Sequence, residues 1–209
     1  MFTGIIEEIG KLQSFRDQGG KRYLEIKCQK INKSLKVGDS VCCNGVCLTV
    51  TAFTGKQITL EVMHETLTKT TIRWWQYNEK INLERALPLS GRLDGHFVQG
   101  HVDTVAKLMG REQEGETLYL WFDLPAEYKD LVTQQGSIAV NGVSLTVAKL
   151  EERRFAVALI SHTLQETNLA GITKYANLEF DILGKYIVRY LRNREKPVIT
   201  TEWLREQGF

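Results

Sequence analysis

The sequence predicts an all-β protein, two tandem closed barrels of about six short strands each with an amphipathic helix at the C-terminus. Three observations carry that prediction. The chain repeats itself, each repeat alternates polar and apolar residues with a period near two, and only the final stretch changes to helical spacing.

The repeat is explicit. Asn44-Gly45-Val46-Cys47-Leu48-Thr49-Val50 recurs as Asn141-Gly142-Val143-Ser144-Leu145-Thr146-Val147, an offset of 97 residues. Thr66-Leu67 and Thr70 fall on Thr163-Leu164 and Thr167 at the same offset. Gly4-Ile5-Ile6 meets Gly100-His101-Val102, and Asn82-Leu83-Glu84 meets Asn177-Leu178-Glu179, at offsets of 96 and 95. Blocks in the same order with one-residue drifts indicate a tandem duplication, with copies at 1–96 and 97–187 and a tail at 188–209. The turn formers of Pro88 to Gly95 mark the boundary.

In the first copy, Arg22 to Cys28, Val46 to Phe53, Gln57 to Met63 and Ile81 to Ala86 read as strands. Thr54-Gly55-Lys56 supplies a hairpin turn, and Asn44-Gly45 a tight turn in which both residues tolerate positive φ. The second copy repeats this with Leu118 to Leu124, Val143 to Leu150, Phe155 to Ile160 and Leu178 to Ile182, and with Asn141-Gly142 as its turn. Short helices are expected after His64 and His162, and Ala126 to Gln134 reads as helical. Six short strands in about 95 residues favour closure, which removes exposed sheet edges. In the tail, Ile187, Val188, Tyr190 and Leu191 gather near one face of a helix over Gly184 to Glu195. Pro197 should end that helix, and Thr200 could cap a second one carrying Trp203 and Leu204. Pattern alone leaves two uses for the tail, oligomerisation or packing back on its own barrel.

Composition bounds the function. The 209 residues are 43% hydrophobic and 25% charged, which excludes a disordered chain. With 27 Lys and Arg against 25 Asp and Glu, the net charge of +2 speaks against a nucleic-acid or anionic-membrane binder. No apolar run reaches membrane-spanning length, and no basic segment precedes an apolar stretch at the N-terminus, so a cytoplasmic location is expected. Cys28, Cys42, Cys43 and Cys47 are crowded into the first quarter of the chain, unlike a disulfide scaffold. Ala139, Val140 and Ser144 replace Cys42, Cys43 and Cys47 in the second copy, so the fold needs no metal there and no metal site is expected. Cys47 and Ser144 remain small, polar and able to act at a reacting centre, or simply to pack. His96 and His101 lie in the glycine-rich Gly95 to His101, suited either to a turn or to a closely approached ligand. The same glycines lack the context of a phosphate loop. The Thr-rich stretches after His64 and His162 are candidates for helix caps or for contacts to a polyhydroxylated ligand. A duplicated barrel should bind two similar molecules, and a reaction between two identical substrates fits that economy.

Several segments resemble the riboflavin synthase family. They are the opening Met1-Phe2-Thr3-Gly4-Ile5-Ile6-Glu7, Gly38-Asp39-Ser40-Val41 running into NGVCLTV, GHFVQGHVD at 95–103 and GSIAVNGVSLTV at 136–147. His162 to Leu169, Asn177 to Asp181 with Gly184-Lys185-Tyr186, and the ending Trp203 to Phe209 extend the resemblance over the whole chain. Two departures are the Cys42-Cys43 pair and the loss of a proline before Glu65-Thr66 and at Ser161, which relaxes those loops without removing the Thr residues.

The resemblance implies two six-stranded Greek-key barrels, each binding one 6,7-dimethyl-8-ribityllumazine, and a homotrimer joined by the C-terminal helix. The implied reaction is a dismutation in which a four-carbon unit passes between two lumazines, giving riboflavin and 5-amino-6-ribitylaminouracil without a cofactor. A catalytically silent lumazine- or flavin-binding relative of the same fold is the alternative. The resemblance also leaves room for association with lumazine synthase. Implied ligand contacts are Gly4, Ile5 and Ile6; Cys47, Leu48 and Thr49; Glu61, Val62, Met63, His64, Glu65 and Thr66; Gly100, His101 and Val102; Gln135; Ser144, Leu145 and Thr146; and Ile160, Ser161, His162, Thr163, Leu164 and Gln165. Ser40, Cys47 and His101 are the candidates for proton transfer and nucleophilic assistance.

Overall fold

The structure, a computed structural model, describes residues 1–193, 201–206 and 208. It contains two closed antiparallel barrels of six strands. The first comprises β1 (Glu8–Gln18), β2 (Lys21–Lys27), β3 (Ser40–Cys43), β4 (Val46–Thr54), β5 (Gln57–Met63) and β6 (Lys80–Arg85). The second comprises β7 (Thr104–Glu114), β8 (Thr117–Asp123), β9 (Ser137–Val140), β10 (Val143–Leu150), β11 (Arg154–Leu159) and β12 (Tyr175–Phe180). Around the first barrel the order is β1-β2-β5-β4-β3-β6, and the second follows the same order with every strand advanced by six. This Greek-key winding leaves neither sheet with a free edge.

The duplication extends to irregularities. Bulges between Leu12 and Ser14 and between Val50 and Ala52 recur between Leu108 and Gly110 and between Val147 and Lys149. Each bulge bends its strand at a barrel corner. Asn44-Gly45 and Asn141-Gly142 form the expected tight turns, with φ of 46° and 81° in one and 46° and 76° in the other. Leu12, Leu24, Ile26, Val41, Leu60 and Leu83 fill the first barrel; Leu120, Phe122, Val140, Phe155, Leu159 and Phe180 fill the second.

The short helices after the fifth strand of each barrel are α1 (His64–Lys69) and α2 (Ser161–Glu166). The helix expected over Ala126 to Gln134 is instead a 3-10 turn at Ala126–Leu131. It ends at extended Val132, and Gln135 turns left-handed at φ 64°, so the chain re-enters β9 before an α-helix can propagate. β1, β3, β7 and β9 have no counterpart among the strands read from the sequence. The outer halves of β1 and β7 face solvent on both sides, and β3 and β9 are four-residue runs buried at three consecutive positions, so none of the four shows sustained alternation. The tail helix, α3 (Ile182–Asn193), starts earlier than expected, with the Asp181 carboxylate accepting from the Leu183 amide at 3.0 Å. A further turn of helix, α4, covers Thr201–Glu206. The expected break at Pro197 and cap at Thr200, and the side chain of Trp203, lie outside the described residues. Among the described residues, no helix is long and apolar enough to cross a membrane.

Candidate functional site

The two barrels meet about a pseudo-twofold axis, and the repeated motifs of the sequence lie on it. The Asn82 amide donates to the Asn141 carbonyl at 3.0 Å, and its equivalent Asn177 donates to the Asn44 carbonyl at 2.8 Å. The Thr71 amide donates to Asn177 Oδ1 at 2.8 Å, mirrored by the Asn168 amide on Asn82 Oδ1 at 2.7 Å. Phe2, Val98, Cys42 and Ala139 form a small apolar core between the barrels. Here a glycine is required at Gly45 and Gly142, whose backbones pass within van der Waals contact of each other.

Around that axis each copy lends a segment to the other. Gly4, before β1, accepts from the Ser144 amide on β10 at 2.8 Å, and Ile6 packs against the second core. Gly100, before β7, accepts from the Cys47 amide on β4 at 2.9 Å, and Val102 packs against the first core. Both glycines are left-handed, with φ near +79°, and a β-carbon on either would lie 2.6 Å from the Cβ it faces. Two equivalent groups of residues are brought together in this way, called below the first and second clefts. One gathers Cys47 to Thr49, the end of β5, the first turn of α1, and Gly100 to Val102. The other gathers Ser144 to Thr146, Ile160, the first turn of α2, and Gly4 to Ile6.

Most predicted ligand contacts therefore fall into two groups, and their exposure suits a ligand-facing wall. Ile5, Thr49, Met63, His64, Glu65, His101, Thr146, Ile160, Ser161, His162 and Gln165 are exposed, while Thr66, Ser144, Leu145, Thr163 and Leu164 are half-buried. Leu48 and Val62 point instead into the first core. Glu61 pairs with Thr49 across the strands, but its carboxylate is engaged by Lys21 at 2.8 Å and the Tyr23 hydroxyl at 3.1 Å. Gln135 takes the place of Gly38 in the first copy, and both amides donate to a β-strand carbonyl at 2.8 Å. Ser40 lies opposite Thr49 and borders an open groove of about 620 Å³ shared with Ile5, Arg85 and Arg92.

The four thiols divide among three environments. Cys28 and Cys43 are in the first core, Cys42 is between the barrels, and half-buried Cys47 borders the first cleft. Burial pushes the Cys28 thiol up to about 12 and raises Cys42 and Cys43 as well, which makes all three poor nucleophiles.

The structure adds a pair that the sequence did not single out. His96 Nδ1 lies 2.7 Å from Ser144 Oγ, while its Nε2 is buried without a partner. Burial lowers the His96 pKa below 6.5, partly opposed by the Asp181 charge, so the imidazole is neutral near pH 7. The repeat could not reveal it, because no residue of the first copy aligns with His96. Gly95 allows the approach, since a β-carbon there would strike the Thr3 carbonyl and the Ser144 side chain. Glu84 and Glu179 were visible only as landmarks of the repeat. Both are buried, which raises their carboxyls, and backbone amides oppose that rise.

A family model described as the lumazine binding domain matches residues 3–86 and again 99–181. The riboflavin synthase of Bacillus subtilis (strain 168) is 41% identical over 215 residues, spanning all of both chains. That of Actinobacillus pleuropneumoniae is 37% identical over the same full span. Among solved structures, LumP complexed with riboflavin superposes with a TM-score of 0.79 at 24% identity, covering 86% of this chain and 99% of that one. LumP complexed with 6,7-dimethyl-8-(1'-D-ribityl) lumazine gives 0.77 at 22% identity with the same coverage. At that identity the likeness speaks for the fold alone.

Proposed function

This chain belongs to the riboflavin synthase family, two lumazine-binding domains in one polypeptide, and from that premise we propose how its residues divide the work. The enzyme joins two 6,7-dimethyl-8-ribityllumazine molecules, moving a four-carbon unit from one to the other to give riboflavin and 5-amino-6-ribitylaminouracil. One lumazine occupies each cleft. Thr49 and Thr66 in the first, and Thr146 and Thr163 in the second, hold the ribityl hydroxyls together with backbone groups. The 7-methyl group is acidic because its carbanion delocalises into the pteridine, so the substrate supplies its own electron sink and needs no cofactor. Holding two rings face to face is worth up to about 7–11 kcal/mol in well-oriented cases.

The clefts differ chemically, and that difference assigns roles. In the second, neutral His96 shares a hydrogen bond with the Ser144 hydroxyl through Nδ1 and, in the tautomer that accepts there, makes Ser144 a relay for a proton leaving or reaching the bound ring. In the first, Cys47, Ser40 and the exposed His101 assist addition to the other ring. Three copies assemble through α3, and the first barrel of one subunit faces the second barrel of another.

The observation that carries this reading is the intact duplication. Both clefts keep the glycine approach, a small polar Cys47 or Ser144, and the Thr residues, along a chain matching riboflavin synthases from end to end. A chromophore carrier would have no need of two clefts that both keep these residues. The test is to mix the protein with 6,7-dimethyl-8-ribityllumazine and follow riboflavin by absorbance. Riboflavin at half the molar amount of lumazine consumed is expected. Tight binding without turnover would make the protein a carrier instead.

A further inference from the structure

Glu84 on β6 is 4% exposed and its counterpart Glu179 on β12 is 2% exposed. A carboxylate that deep is costly unless its lone pairs are filled. Backbone amides and one hydroxyl fill them. Glu84 accepts from the Thr3 amide at 2.7 Å, the Thr3 hydroxyl at 2.8 Å and the Gly4 amide at 3.0 Å. Glu179 accepts from the amides of Gln99 at 2.7 Å, Gly100 at 2.9 Å and His101 at 3.1 Å.

The segments so held do not serve the barrel that holds them. Gly4 goes on to the Ser144 amide of the second barrel, and Gly100 to the Cys47 amide of the first. Ile6 and Val102 likewise pack into the opposite cores. We propose that Glu84 and Glu179 are positioning residues acting across the barrels: Glu84 of the first sets the lumazine cleft of the second, and Glu179 of the second sets that of the first. The inference rests on reading the two clefts as lumazine sites. An ionised carboxylate suits the task because it accepts at both oxygens and donates at neither. An amide of the same shape keeps one acceptor and turns a donor toward the Gly4 amide, or toward those of Gly100 and His101.

The test uses full-length Glu84→Gln and Glu179→Gln with riboflavin as a non-reacting probe. Calorimetry counts the sites and their affinities. Alkylation of Cys47 by iodoacetamide, read by peptide mass spectrometry, reports the first cleft, since the other three thiols are buried. Glu179→Gln should lose riboflavin protection of Cys47, with that site about tenfold weaker or more. Glu84→Gln, although it alters the barrel that carries Cys47, should keep the protection and lose the other site. A merely structural role predicts the reverse, each substitution damaging its own barrel, and either that pattern or equal weakening of both sites would overturn the proposal. If a glutamine variant fails to fold, Glu84→Asp and Glu179→Asp keep both oxygens and should show the same crossed pattern more weakly; its absence there also overturns the proposal. Wild-type protein that binds no riboflavin overturns the lumazine reading itself, and that result is known before any substitution is made.

Discussion

A β-carbon on Gly100 would lie 2.6 Å from the Cys47 Cβ and 2.7 Å from its amide nitrogen, on a backbone at φ +78°. The left-handed conformation alone costs an alanine on the order of 1–2 kcal/mol, and the contact with Cys47 adds to it. Gly100→Ala should therefore lower the denaturation midpoint and weaken riboflavin binding at the first cleft. Gly171→Ala, where nothing lies within 4 Å, should do neither. The imidazole of His96 makes a second prediction. Burial holds its pKa below 6.5, so the unfolded chain binds the proton more readily than the native one. Its contribution to stability is then present above pH 6.5 and is lost as pH falls toward the native pKa. Turnover should fail over the same acid window, as Nδ1 ceases to accept from Ser144. His96→Gln should flatten that acid limb while lowering the plateau rate; an unchanged limb would remove His96 from the proton path.

At the scale of elements, the asparagines between the barrels tie turn to strand across the pseudo-dyad. Asn177→Ala would orphan the Thr71 amide and the Asn44 carbonyl, both buried, at about 1–3 kcal/mol for each group. The expected result is a lower melting temperature with the secondary structure retained at 25 °C, measured by circular dichroism. These asparagines show how far the sequence can be read. Asn44-Gly45 was legible as a turn because positive φ is a local demand, and the copy at Asn141-Gly142 confirmed the type. That the same turns also dock the barrels depends on Asn82 and Asn177, more than 30 residues away, and no local pattern reports that. The strand pairs β4–β5 and β10–β11 were legible from alternation. β1 and β7 were not, because their outer halves are exposed on both faces, and β3 and β9 were not, because four residues buried at three consecutive positions show no alternation. At the site, Gly4, Cys47, Gly100 and Ser144 could be found because the two copies point at them. The exchange of segments between barrels, and the partner of Ser144, are three-dimensional facts that the repeat does not encode.

For the whole molecule, the question is what covers α3. Leu183, Tyr186, Ile187, Tyr190 and Leu191 follow helical spacing, and each is more than half exposed within one chain. The helix is anchored on polar contacts, Lys185 to Asp103 and Arg192 to Asp130, both at 2.6 Å, which hold it to the second barrel. An apolar stripe of that length left to solvent marks an association surface. Three such stripes meeting at a common axis would bury it and would bring a first barrel of one copy against a second barrel of another. The proposed reaction stacks two bound rings, and such an assembly would supply the facing pair. Sedimentation should give a species of about three times the chain mass for the full protein. Truncation after Asp181 removes the stripe but leaves both barrels, both clefts and the charge beside His96. That variant should sediment as a single chain and still bind riboflavin, yet form it from lumazine orders of magnitude more slowly. A truncated protein that remains trimeric and active would show that the barrels assemble themselves, and α3 would then need another partner.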